Sequence, residues 1–81
     1  MTFTFEGGDI MTNVELLNEE IAKCPLSKTA IAGEWGMSMP TFYSRISGES
    51  EFKASEIVAA TKTFNLTRTR RDQIFLAESV N

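Results

Sequence analysis

Few side chains in this sequence are equipped for chemistry, and their types point to binding rather than bond-making. There is no His in 81 residues, which removes the commonest general base and a frequent metal ligand. No paired-carboxylate motif and no phosphate-cradling glycine loop occurs, so no enzymatic activity, metal or cofactor is expected. The single cysteine, Cys24, cannot form an internal disulfide and implies no oxidising compartment. Beside Pro25 it reads as a loop bystander. What remains is a mid-chain group of hydroxyls and cations, Lys28, Ser38, Thr41, Tyr43, Ser44 and Arg45, and a later group, Arg68, Arg70 and Arg71. Such groups exchange hydrogen bonds and attract anions.

The chain that positions them is short. Eighty-one residues make one small domain. A hydrophobic share of 42% and a charged share of 23% are ordinary for a globular chain and too apolar for a disordered one. No apolar run approaches the roughly 20 residues of a membrane span. The first residues show neither a basic start nor an apolar signal core, so secretion is not expected. With no His in the chain, a cytoplasmic binding domain is favoured over an enzyme. The net charge of −3 argues against nonspecific attraction to nucleic acid. It is unevenly spread, however. Residues 1–22 hold five acids and no base, whereas residues 23–81 hold eight bases and six acids. An acidic total therefore does not exclude DNA binding, provided that the first helix faces away from phosphate.

Residues 1–10 stand apart from the rest. Thr2-Phe3-Thr4-Phe5 alternates like a short strand and Glu6-Gly7-Gly8-Asp9 reads as a turn. That turn can also be encoded by a purine-rich stretch of the kind bacterial ribosomes bind before a start codon, and a second Met follows at position 11. Two readings of residues 1–10 stand: a flexible N-terminal extension, or an untranslated leader with translation beginning at Met11. The remaining residues, 11–81, form the domain.

From Asn13 onward the periodicity is helical, and no strand is expected after Met11. Val14, Leu17 and Ile21 share one face of a first helix, with Glu15, Glu19 and Glu20 opposite as a solvated surface. Pro25 ends it. Ser27 caps a second helix, Lys28 to Trp35, which stops at Gly36. Ser38 caps a third, running to about Ser47, whose first turn holds Pro40 and whose start can slip by one residue. Gly48 ends it. A fourth spans about Ala54 to Phe64, with Ile57, Ala60, Thr61 and Phe64 on one side. A fifth starts near Thr67 and carries Ile74, Phe75, Ala77 and Val80.

The segment Lys28 to Gly48, KTAIAGEWGMSMPTFYSRISG, satisfies the demands of a helix-turn-helix. Ala32 is small where the second helix must cross closely. Gly36 supplies a left-handed turn residue. Met37 points inward after it, Phe42 and Ile46 present an apolar pair one turn apart, and Ile31 and Trp35 complete the seam. Gly33 has no role in this scheme; in mid-helix it costs up to about 1 kcal/mol against Ala.

From Met11 to about Val80 the chain resembles the small phage Cro-like and repressor-type helix-turn-helix regulators. The residues that carry the likeness are Ile31-Ala32, Trp35-Gly36-Met37-Ser38, Thr41-Phe42-Tyr43, Arg45-Ile46-Ser47-Gly48 and Phe52-Lys53-Ala54-Ser55-Glu56-Ile57. Phe64-Asn65-Leu66-Thr67 with Ile74-Phe75 is similar to phage and prophage proteins of Gram-positive bacteria. The resemblance implies an all-α, compact five-helix bundle, a lambda repressor-like DNA-binding domain. It further implies a transcriptional regulator in the bacterial cytoplasm that acts as a homodimer on a near-palindromic double-stranded operator and occludes a promoter.

In that docking mode the N-terminal part of the third helix meets base edges in the major groove. The resemblance then puts Ser38, Met39, Pro40, Thr41, Tyr43 and Ser44 at the DNA. Thr41 and Ser44 would bond base edges, Met39 or Pro40 would contact a thymine methyl, and Tyr43 would read a base or stay a surface aromatic. Lys28 and Arg45 would meet phosphate. No Gln, Asn or Arg stands at the tip of this helix, so specificity is modest or leans on DNA shape. Arg68, Arg70 and Arg71 oppose the dipole at the start of the fifth helix. They read either as contacts to phosphate or an acidic partner, or as a tolerated surface cluster. The run Ile74-Phe75-Leu76 exceeds what one helix face buries, and one of the three is a candidate for a dimer seam. The alternative function is a protein-interaction module on the same fold that binds and modulates a lysogeny repressor rather than DNA.

Overall fold

Short polar side chains start nearly every helix of this protein. A computed structural model describes residues 10–78; the strand expected at residues 2–5, the turn expected at residues 6–9, and Val80 lie outside them. Helix α1 covers Val14–Lys23, α2 Lys28–Glu34, α3 Met39–Ser47, α4 Ala54–Phe64 and α5 Arg68–Phe75. Asn13 accepts from the Leu16 N–H at 3.1 Å, Ser27 from Ala30 at 3.1 Å, Ser38 from Thr41 at 3.4 Å and Thr67 from Arg70 at 3.1 Å. Each cap satisfies an amide that has no partner inside its helix. At α4 the bond runs the other way: the Glu56 carboxylate accepts the N–H of Lys53 at 2.9 Å.

The stops are equally local. Gly36 and Gly48 adopt φ of +71° and +88°, a left-handed conformation that costs a Cβ-bearing residue about 1–2 kcal/mol. Trp35 is the C-cap of α2 rather than its last helical residue. Met39 is helical directly after the Ser38 cap, and Pro40 is accommodated in the first turn, where its missing N–H has no helical acceptor.

Helix α1 packs on α3 and α5, α2 on α3 and α4, and α4 on α5. Leu17, Ile21, Ile31, Ala32, Trp35, Phe42, Ile46, Ala60, Ile74 and Phe75 form one buried cluster. Trp35 sits among Phe42, Phe52 and Phe64, with ring centroids 5.5, 5.8 and 5.7 Å away. Edge-on and tilted rings favour such contacts beyond their area. The indole N–H, which would be costly to bury alone, donates to the Thr63 hydroxyl at 3.1 Å. Met37, after the turn glycine, packs against the same core.

Two sequence expectations are corrected. The fifth helix ends at Phe75 instead of continuing through Ala77, and a two-residue strand pair is present. Strand β1, Ile10–Met11, pairs antiparallel with β2, Ala77–Glu78, in the register Ile10 to Glu78 and Met11 to Ala77. The cause is long-range. The Asn13 N–H donates to the Ile74 carbonyl at 2.6 Å, taking the acceptor that a continued helix would have used four residues later. The boundary expected between residues 10 and 11 thus falls inside β1.

The face of α1 is corrected as well. Glu15 and Glu19 are exposed, but Glu20 is buried with 8% of its surface exposed. Arg70 Nε donates to it at 2.8 Å, and Lys23 Nζ lies 3.2 Å away. Among the described residues no helix is long and apolar enough to cross a membrane.

Candidate nucleic-acid interface

The exposed edge of α3 is set by where its apolar residues go. Phe42 and Ile46 are buried, so Tyr43 and Ser47, one turn apart, are turned outward. Tyr43 is 49% exposed. Its ring lies under Lys28, whose ammonium is 5.9 Å from the centroid, close enough for a weak cation–π attraction. Helices α2 and α3 therefore present one cation and one phenol together. A groove of about 510 Å³ runs along this edge, lined by Asn18, Lys28, Pro40, Tyr43, Ser44, Ile46, Ser47 and Glu49.

The other expected contacts divide by how their polar atoms are used. Pro40 and Ser38 are exposed, but the Ser38 hydroxyl caps α3 and donates to the Thr41 hydroxyl at 3.1 Å. Met39 is half-buried and packs against the core. Thr41 is half-buried at the start of the helix. The Ser44 hydroxyl is 2.8 Å from that of Ser50, so it is tied to the loop after α3.

Arg45 is the largest departure from the outward reading. Its side chain is 12% exposed. Nε donates to Glu56 at 2.8 Å, a second guanidinium nitrogen donates to the other Glu56 oxygen at 3.3 Å, and a third bonds Ser50. This fork joins α3 to the start of α4. Hydrogen bonding to Glu56 raises the Arg45 pKa. For Glu56, burial alone would push the carboxyl up, yet bonds from Arg45 and the Lys53 amide outweigh it and hold it below its ordinary value.

The late arginines separate in the same way. Arg70 bonds Glu20 and also Glu19, at 3.3 Å. Its carboxylate partners lie within the domain. Burial would raise the Glu20 carboxyl, but donation from Arg70 and Lys23 holds it below its ordinary value. Arg71 pairs with its neighbour Asp72 at 2.9 Å, while Arg68 is exposed and makes no ion pair among the described residues. Lys28, Lys53 and Lys62 are also without an ion pair there.

Asn18, Ser47 and Glu49 escaped the sequence reading. Ser47 was recoverable, since it stands one turn beyond Tyr43 on the same stripe. Asn18 belongs to α1, and its amide donates to the Ile46 carbonyl at 3.3 Å; no local pattern signals that. Glu49 enters through the turn made by Gly48. Among the described residues no cluster of His, Cys, Asp and Glu is arranged to hold a metal.

Chemically, this edge can place a phenol hydroxyl, a primary hydroxyl and an ammonium against a polar, partly anionic surface. In comparisons with family models, curated proteins and solved structures, the chain matches none.

Proposed function

We propose that the protein is a sequence-specific DNA-binding regulator of the Cro or repressor type, which covers a phage or prophage promoter in a bacterial cytoplasm. The observation that carries this reading is the shared exposed edge of α2 and α3, where Lys28 stands over Tyr43. Two helices joined by a four-residue turn, with Gly36 left-handed, support it. In this reading the N-terminal half of α3 enters the major groove. Tyr43, Ser47 and Pro40 face base edges, and Lys28 with the free amides at the start of α2 holds phosphate. Two copies would read the two halves of a near-palindromic operator; of Ile74-Phe75-Leu76 only Leu76 is left exposed by the core.

The test is a gel shift of duplex DNA from the intergenic region upstream of the gene, repeated across a salt series. Binding is expected to weaken with salt, and Lys28→Ala to reduce the slope by about 1. A salt-insensitive shift would overturn phosphate contact.

A second reading, a module that binds a lysogeny repressor, is favoured by one observation. Arg45 is spent on Glu56, and Glu49 lines the α3 groove, so this edge carries little net positive charge. Co-purification with the repressor together with no DNA shift by the protein alone would select it.

A further inference from the structure

Five large hydrophobic residues are exposed among the described residues: Met11, Leu26, Tyr43, Val58 and Leu76. Two of them wall the same groove. It runs between α4 and α5, has a volume of about 360 Å³, and is lined by Ala54, Ile57, Val58, Thr61, Lys62, Arg71 and Leu76. Val58 is 54% exposed and Leu76 48%. No residue of α3 lines it, so it is independent of the edge described above.

Its charge is the opposite of the chain's. The whole sequence is at −3, yet the two ionisable residues of this groove are both cations and no acid lines it. Lys62 has no ion pair among the described residues, and Arg71 has only its neighbour Asp72. An apolar floor between cations fits an apolar stripe flanked by carboxylates. Ala54 and Thr61 are small enough to let a backbone approach. Helix α4, at 11 residues, is about 16 Å long, which matches three turns of a partner helix anchored at i, i+3 or i+4, and i+7.

A second copy of the chain fits less well. A two-fold seating would bring Lys62 and Arg71 toward their own counterparts. The acidic helix α1 of another copy offers Glu15 and Glu19, but its apolar residues Leu17 and Ile21 are buried in its own core.

We infer that the α4–α5 groove is a docking site for an acidic amphipathic helix of a partner protein. The probe is a synthetic 15-residue helical peptide with a leucine stripe flanked by glutamates, compared with the same peptide carrying lysines. Binding is followed by the NMR signals of the Ile57, Val58 and Leu76 methyl groups in the full chain. The acidic peptide is expected to shift these methyl signals and the lysine peptide to leave them unchanged. Lys62→Glu with Arg71→Glu should weaken binding at least tenfold while thermal unfolding and any DNA shift stay as they were. Val58→Ser, at an exposed position, should do the same through the apolar floor. Equal binding of both peptides, or shifts confined to other methyls, would overturn the inference. So would loss of DNA affinity in the double variant, which would assign the cations to phosphate. Self-association abolished by Val58→Ser would make the groove a dimer seam. Peptide binding only after Phe3→Ser and Phe5→Ser would make the chain's own first residues the occupant.

Discussion

Arg45 and Arg70 show why a cation's position along a helix says little about what it touches. Both are long enough to reach outward, and both are held inward by carboxylates on other helices, Glu56 and Glu20. Removing one member of so shielded a pair leaves the other charged and poorly solvated. Glu56→Ala is therefore expected to destabilise the fold by about 2–3 kcal/mol, read as a drop in Tm of roughly 8–20 °C for a domain of this size. The exchange of Arg45→Glu with Glu56→Arg should recover part of it. If Arg45 works only by tying α3 to α4, Arg45→Lys lowers Tm but leaves the salt slope of DNA binding unchanged. A slope that falls with this conservative change would mean that Arg45 reaches phosphate after all.

At the scale of elements, helix starts and stops follow from neighbours in sequence. The caps Ser27, Ser38 and Thr67 each act on an amide three residues on. The starts of α2, α3 and α5 were legible for that reason, to within a residue or so, whereas the bounds of α4, Ala54 to Phe64, followed from the spacing of Ile57, Ala60 and Phe64. Gly33 and Gly36 make a contrasting pair. Gly33 is helical and exposed, and a Cβ there would meet nothing within 4 Å. Gly33→Ala should thus stabilise by up to about 1 kcal/mol, raising Tm by several degrees. Gly36 has equal room but a φ of +71°. Gly36→Ala should destabilise by about 1–2 kcal/mol, because the cost lies in the backbone and not in space. Equal unfolding temperatures for the two variants would contradict this account of the turn. The end of α5 was not legible, because the competitor for its Ile74 carbonyl is the amide of Asn13, 61 residues earlier.

For the whole molecule the pH response follows from two carboxylates. Glu20 and Glu56 both titrate below their ordinary value of 4.5. A group whose folded pKa is depressed adds stability above its unfolded pKa and loses it as pH falls through the folded value. With no His in the chain, Tm is expected to be nearly level from pH 8 to about 5 and to fall below about 4.5. Glu20→Gln with Glu56→Gln should lower the plateau and flatten the acid limb. An acid limb of unchanged depth in that variant would place the proton-linked stability on other groups.

Local chemistry in the sequence determined five helices, their caps and the left-handed turns at Gly36 and Gly48, since each rests on residues within a few positions. It also determined the apolar seam of Ile31, Trp35, Phe42 and Ile46, because helical spacing alone puts those side chains on facing sides. Tertiary structure decided which charges face water. Glu20 and Arg70 are 50 residues apart, and only the packing of α1 on α5 brings them within 2.8 Å. Packing of α1 and α4 on α5 buries Ile74 and Phe75 and leaves Leu76 beside Val58 in an open groove, while packing of α2 on α3 keeps Lys28 and Tyr43 on their shared exposed edge. A helix's period is written in its own residues, whereas an ion pair between helices depends on how both are placed.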